Sequence, residues 1–268
     1  MRPDHILFLS DLDGTFLGDP PAVLPQNLAA VRRFISLGGH FAFASGRSHH
    51  DLRAILPEID RLTSLPCIVS NGAYCYDYRH GRVENPHFLA QEDLDRLPVR
   101  LSELSGLPFR RWNRYLGEAE PAPPAGGEGG VLCYDTGLAG GLFKIIGFLH
   151  PDTAGRVAGL IPRLFAEFPS YSFVLSASTI LDVLPRGVSK ALQLKHLRER
   201  LGREGVLSPR VFCIGDYDND LEMLSAADFP LCPANASPAV KAICRREVCH
   251  CRNGAVAEAL SLILDEKI

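Results

Sequence analysis

Apolar residues follow two rhythms along this chain. Short unbroken runs, Ile6-Leu7-Phe8-Leu9, Phe41-Ala42-Phe43-Ala44, Ile68-Val69 and Val211-Phe212-Cys213-Ile214, suit strands buried on both faces of a parallel sheet. Between them, apolar positions recur at helical spacing. Leu28, Val31, Phe34 and Ile35 precede the helix stop Gly38-Gly39, and Leu52, Ile55 and Leu56 follow Ser48, whose Asp51 three residues on resembles a capping box. Up to Val69 the order is β-α-β-α-β, the signature of a doubly wound parallel sheet.

The pattern breaks between about Gly81 and Leu184. There the spacing predicts a helix over 92–104 weakened by Pro98, a Gly/Pro-rich loop over 121–130 and a strand over 142–149. A helix over 152–168 containing Pro162 and strands over 171–175 and 180–184 follow. The βα pattern returns at Ser189, placed to cap a helix with Leu194, Leu197 and Leu201 inward and Gly202 closing it. Beyond the strand at 211–214 come a helix (221–226), a strand (229–232), a helix (237–244), a strand (247–251) and a closing helix (255–264). The expected organisation is a discontinuous core, 1–84 and 185–268, carrying an inserted α/β domain at 85–184.

Composition narrows the function classes. With 268 residues, 46% hydrophobic, 22% charged and a net charge of −3, the chain has no long run of one sign to favour nucleic acid or an anionic membrane. No apolar stretch approaches the ~20 residues of a membrane span, and the first apolar run is too short for a secretory signal, so a cytoplasmic location is expected. The eight cysteines include no C-x-x-C pair, and Cys249-His250-Cys251 near Cys244 lacks zinc-ligand spacing. The sequence leaves the oligomeric state open.

Four polar clusters lie just past an apolar run or at a helix start: Asp11/Asp13, Ser45-Gly46-Arg47, Lys190, and Asp216/Asp218/Asn219/Asp220. In an open α/β sheet such positions share one edge, where ligands bind. Each alone reads equally as a turn, a solvated lysine or a surface loop. A calcium loop is disfavoured at Asp216–Asp220, because the loop glycine and later glutamate are missing. Together the clusters suit phosphoryl transfer. Several carboxylates repel one another and a phosphate dianion, and a divalent cation with hard oxygen ligands, Mg²⁺, relieves both. A carboxylate is ionised at neutral pH and attacks phosphorus without a base. Lys190 and Ser45 are suited to hold phosphoryl oxygens, and an anion at the start of the Lys190 helix would ease the unfavourable dipole.

Asp11-Leu12-Asp13-Gly14-Thr15, Ser45-Gly46-Arg47, Gly187-Val188-Ser189-Lys190 and Gly215-Asp216-x-x-Asn219-Asp220 resemble, in order and spacing, the four motifs of the haloacid dehalogenase superfamily. Ser70-Asn71-Gly72-Ala73, Leu181-Asp182-Val183-Leu184-Pro185 and Pro233-Ala234-Asn235-Ala236 with Val240-Lys241 resemble signatures of its Cof-type phosphatase branch.

The resemblance implies a Rossmann-like core with an α/β cap and gives each position a role. Asp11 is then the nucleophile and a Mg²⁺ ligand. Asp13 is the general acid and base, with its backbone carbonyl on the metal, and Asp216 is the remaining carboxylate ligand. Leu12 (through its amide), Ser45, Gly46, Lys190 and Asn219 bind phosphate. Asp220 and Thr15 support these groups from behind, Asp220 by orienting Lys190 or a metal-bound water. Asp218 is expected to be a solvated loop acid, His49 and His50 a polar helix start, and Arg110–Arg114 an exposed basic strand face. The expected activity is Mg²⁺-dependent hydrolysis of a small phosphorylated metabolite, with sugar phosphates foremost. A phosphohexomutase and a phosphosugar-binding regulator without turnover are the alternatives.

Overall fold

The computed structural model describes residues 2–115, 130–136, 141–206 and 208–268. The chain divides into two compact units, Met1–Asn85 with Ser189–Ile268, and Pro86–Val188.

In the first unit the buried runs become a five-stranded parallel sheet. Its strands are β1 (Ile6–Ser10), β2 (His40–Phe43), β11 (Arg210–Ile214), β12 (Phe229–Pro233) and β13 (Arg246–Val248), in the order β13-β12-β11-β1-β2. All five residues of β1 are buried because it is paired on both sides. Its Phe8 stacks on Phe41, with ring centroids 5.9 Å apart. Burying a side chain of this size contributes about 1.5–3 kcal/mol. Ser10 lies level with both Ile214 and Phe43, so the three strands end together. The residues that follow, Asp11, Ala44-Ser45 and Gly215-Asp216, therefore emerge on one edge.

Helices α1 (Pro25–Ser36), α2 (His49–Ile55), α3 (Ile59–Leu62), α6 (Lys190–Arg203), α7 (Leu221–Ser225), α8 (Pro238–Ile243) and α9 (Ala255–Leu264) belong to this unit. Buried Asn27 of α1 donates to the Phe16 carbonyl and accepts from Ala257 N–H, tying α1 to the turn after β1 and to α9. Ser48 and Asp51 form the anticipated capping box. Ser189 stands at the start of α6 but makes no capping bond through its side chain, and α6 runs past Gly202 to Arg203.

One strand differs from expectation. β3 (Cys67–Val69) touches the parallel sheet through a single bridge, Ala44 to Ile68, and otherwise joins an antiparallel sheet with β4 (Tyr74–Asp77) and β5 (Arg82–Glu84). The apolar pattern of the sequence does not separate β4 and β5. They are short and broken by polar turn residues, so they lack the apolar runs that marked the other strands.

The second unit is a five-stranded sheet ordered β6-β7-β8-β10-β9, built from Phe109–Tyr115, Gly130–Thr136, Leu142–Leu149, Ile180–Pro185 and Tyr171–Ala177. Helices α4 (Arg96–Ser105) and α5 (Pro151–Glu167) pack on it through Leu97, Leu101, Val157 and Leu164 against Ile145, Leu149, Leu181 and Val183. Pro98 is accommodated in the first turn of α4, where its missing N–H has no intrahelical partner to lose. The loop expected at 121–130 lies outside the described residues except Gly130, as do the side chains of Arg110–Arg114. Among the described residues no helix is long and apolar enough to cross a membrane.

Candidate active site

Asp11 follows β1 directly and is 6% exposed. Its N–H donates to the Ile214 carbonyl at 2.9 Å, which fixes it beside the Gly215–Asp220 loop. The Ala44 N–H donates to the Ser10 carbonyl at 2.8 Å, which brings Ser45 alongside. From the opposite side Lys190, the first residue of α6, reaches in and is wholly buried. Its Nζ donates to Asp11 Oδ1 and to Asp220 Oδ1, both at 2.6 Å.

Asp220 uses both carboxylate oxygens. Oδ1 accepts from the Lys190 ammonium, and Oδ2 accepts from Asp216 N–H at 3.1 Å and from Tyr217 N–H at 3.4 Å. It thus closes the loop and anchors the lysine. A Cβ on Gly215 would fall 2.5 Å from that carboxylate, so glycine is required for the approach. Asp216 Oδ1 accepts from Thr15 Oγ1 at 3.1 Å. Gly14, at φ +73°, would set a Cβ 2.3 Å from Asp216 Oδ2. Gly14 therefore serves both the turn and the access to Asp216.

Oxygens of Asp11, Asp216 and Asp220 lie within 4.8 Å of one another. If all ionise, three carboxylates face one ammonium, leaving two negative charges uncompensated in a buried space. Burial, then repulsion from Asp220 and Asp216, pushes the Asp11 carboxyl well above the usual range, with Lys190 opposing. Burial, then Asp220, pushes Asp216 up to about 7, against the Thr15 hydrogen bond and Lys190. Burial disfavours the Lys190 ammonium, but Asp11 and Asp220 outweigh it and hold its pKa above the usual lysine value. The lysine stays charged, and the excess negative charge falls on Asp11 and Asp216. A divalent cation fits this donor set. Asp11 and Asp216 are the carboxylates to hold it, since Asp220 is committed to the lysine and the loop.

This coupling has a measurable consequence. A raised folded-state pKa means that the Asp216 contribution to stability is present below about pH 4 and lost as pH rises through about 7. A bound divalent cation competes with that proton. The stabilisation given by Mg²⁺ is expected to be small near pH 5 and to grow up to about pH 7–8. Thermal melts with Mg²⁺ and with EDTA across that range check it; a pH-independent increment would contradict it.

A second group forms around the 45–47 turn. Ser45 is buried, and its Oγ accepts from Arg47 N–H at 3.1 Å. Asn71 N–H donates to the Ser45 carbonyl at 3.0 Å, and Asn219 Nδ2 donates to Asn71 Oδ1 at 3.0 Å. A Cβ on Gly46 would lie 3.1 Å from Asn71 Oδ1. Ser45, Gly46 and Asn219 are thus held together through Asn71, a residue the sequence reading gave no role of its own. Its signal was the Asn-Gly pair: Ser70, Asn71 and Gly72 all have positive φ, at 49°, 54° and 94°. A Cβ on Gly72 would sit 2.1 Å from the Ser189 carbonyl, so this loop packs directly on the start of α6 that carries Lys190.

Asp13 is placed differently. Its side chain lies outside the three-carboxylate cluster and forms a two-pronged pair with Arg47, Nε to Oδ2 at 2.7 Å and a terminal nitrogen to Oδ1 at 2.8 Å. Leu12 is buried and its carbonyl accepts from Leu17 N–H at 2.9 Å, closing the turn. Asn235 steadies the same turn by donating to the Gly14 carbonyl at 2.7 Å. Asp218 is exposed and accepts from Ser237 Oγ. His49 is buried beside Tyr74 and stacked on Tyr76; burial first, then His50, pushes its pKa down to about 4.

The family model for haloacid dehalogenase-like hydrolases matches residues 8–105 and 142–260. An HMP-PP phosphatase of Serratia proteamaculans is 26% identical, covering 93% of this chain and 92% of its own. The 5-amino-6-(5-phospho-D-ribitylamino)uracil phosphatase YitU of Bacillus subtilis is 22% identical, covering 97% of this chain and 98% of its own. Among solved structures, the subclass IIB sugar phosphatase BT4131 superposes with a TM-score of 0.71 at 14% identity, covering 96% of this chain and 98% of its own. The matched segments contain all four polar clusters, and the chain belongs to the haloacid dehalogenase-like hydrolase family.

Proposed function

We propose that this haloacid dehalogenase-like phosphatase is Mg²⁺-dependent and hydrolyses small phosphorylated metabolites, sugar phosphates foremost, through an aspartyl-phosphate. The carrying observation is the buried Asp11–Lys190–Asp220 chain beside Asp216, a nucleophile held by a fixed ammonium in a site two positive charges short. Mg²⁺ on Asp11 and Asp216, with the Asp13 backbone carbonyl, would supply charge neutralisation for the incoming phosphate.

An Asp11 oxygen attacks phosphorus, and the bond to the leaving oxygen breaks. Asp13 supplies the proton that this oxygen takes up. Asp13 then removes a proton from water as the water attacks phosphorus, releasing phosphate and restoring Asp11. Lys190, Ser45, the Leu12 and Gly46 amides and Asn219 bind the phosphoryl oxygens, while Asp220 and Thr15 hold Lys190 and Asp216 in place. For the acid step Asp13 has to leave Arg47, whose guanidinium engages both carboxylate oxygens in the structure. The second unit, acting as a cap, selects among substrates. The names of the relatives support a phosphorylated small molecule but differ in substrate, which leaves the class broader than any one of them.

The test is phosphate release over sugar phosphates, nucleotides and phosphorylated cofactors, with Mg²⁺ and with EDTA. Release confined to the Mg²⁺ arm is expected. Isomerised sugar phosphate without free phosphate would favour a mutase, and undiminished release in EDTA would sink the metal-dependent reading.

A further inference from the structure

The chain leaves the first unit after Asn85 and re-enters it at Ser189. One side chain of α6 holds the first of these points. Gln193 lies one turn past Lys190 and is wholly buried. Its Nε2 donates to the Gly72 carbonyl at 2.9 Å and to the Asn85 carbonyl at 3.0 Å. Its Oε1 accepts from Asn85 Nδ2 at 3.0 Å and from Cys75 Sγ at 3.2 Å. Every hydrogen-bonding position of the amide is thus filled. Burial pushes the Cys75 thiol well above the usual range, so it keeps the proton it donates. Turning the amide over would set Oε1 against two carbonyls and Nε2 against another amide nitrogen, so a single orientation is allowed.

The two carbonyls that Gln193 holds lead to different places. Gly72 follows Asn71, which holds Ser45 through its N–H and Asn219 through its Oδ1. The Gly72 backbone is pressed on the Ser189 carbonyl, so a shift of Gly72 passes to Asn71 rather than into empty space. Asn85 has φ +46°, a left-handed backbone that asparagine tolerates better than most side chains. Just before it, Glu84 accepts from Arg200 at 2.6 Å, two turns further along α6. The end of β5 is therefore fixed to α6, and Gln193 joins that end to the Asn71 loop.

We propose that Gln193 is a positioning residue that makes the setting of the phosphate-binding group and the path of the chain at Asn85 depend on each other. This rests on the reading of Ser45, Gly46 and Asn219 as phosphate contacts. Occupancy of that group orders Asn71 and Gly72, and the Gly72–Gln193–Asn85 bonds carry the order to the point where the chain leaves the first unit. Loosening Asn85 in turn weakens phosphate binding, because such coupling is reciprocal. The competing account is a polar plug that only packs α6 against β4.

Amide NMR of the full chain in Mg²⁺, titrated with inorganic phosphate at constant ionic strength, tests it. In the parent the Ser45 and Gly46 amides are expected to shift saturably, and the Asn85 amide to follow with the same half-saturation. Gln193→Met keeps the volume without the hydrogen bonds. In it, half-saturation at Ser45 and Gly46 should weaken roughly tenfold, and the Asn85 amide should stop following. Asn85→Gly keeps the left-handed backbone but loses the Nδ2 donor, and should weaken phosphate about threefold with a parent-like melting temperature. It carries the test should the methionine variant fail to fold. An Asn85 amide that stays still in a parent whose Ser45 and Gly46 respond would overturn the coupling and leave the phosphate reading standing. So would variants that bind phosphate as tightly as the parent. Ser45 and Gly46 unmoved by phosphate in the parent would overturn both.

Discussion

Replacing Asp11 with asparagine is expected to abolish turnover, by roughly four orders of magnitude or more, while the protein still folds. The amide matches the carboxylate in shape but cannot serve as the nucleophile or carry charge to a metal. The fold should survive because Lys190 keeps Asp220 at 2.6 Å, so its ammonium does not become an orphaned buried charge. The Asp11 backbone is also fixed independently, through its N–H to the Ile214 carbonyl. Steady-state phosphate release together with a thermal melt separates loss of chemistry from loss of fold. Activity within tenfold of the parent would remove Asp11 from the mechanism.

Lys190→Met is expected to lose both activity and stability. The ammonium is wholly buried between Asp11 and Asp220, and methionine fills its volume without its charge. Asp11 is then left facing Asp216 and Asp220 with nothing opposing them, and removing one partner of such a buried set costs about 3–5 kcal/mol. The pH dependence follows from the sign of the Asp11 shift. Its folded pKa is already raised, and losing the ammonium raises it further. Stability is therefore lost as pH rises through that value and recovered as pH falls. The gap between variant and parent in urea unfolding should be widest near pH 8 and narrow toward pH 5. Added Mg²⁺ should restore part of it without restoring turnover. A variant equal to the parent at pH 8 in EDTA would show that the lysine is not what offsets the buried acids.

The parts of this molecule that were legible in sequence share one property: the signal is local. β1 and β11, paired on both sides, and β2 at the end of the sheet are all short apolar runs with buried side chains, and each is followed within two residues by polar residues at the sheet edge. The Ser48–Asp51 cap and the bounds of α9 likewise depend on neighbours a few positions away. What stayed hidden depends on distance. Arg47 grips Asp13 across 34 positions, and Asn219 reaches Asn71 across 148. No spacing rule carries such pairings; only the common edge of the sheet does. β7 was not anticipated, because it lies beside the Gly/Pro-rich stretch whose composition read as loop through Gly130. Pro98 weakened a helix that in fact begins two residues earlier, so that proline falls where it does no damage.

The central claim is that Asp11 carries the phosphoryl group. It is tested most directly in the Asp13→Asn variant, which on the proposed mechanism keeps the nucleophile but lacks the base that activates water. Mixed with Mg²⁺ and p-nitrophenyl phosphate, whose leaving group needs no acid, and quenched in acid, the protein should gain one phosphoryl mass on the peptide containing Asp11. A burst of p-nitrophenolate near one equivalent should accompany it. Turnover with no phosphoryl group on the protein, or the group on any other residue, would contradict the account.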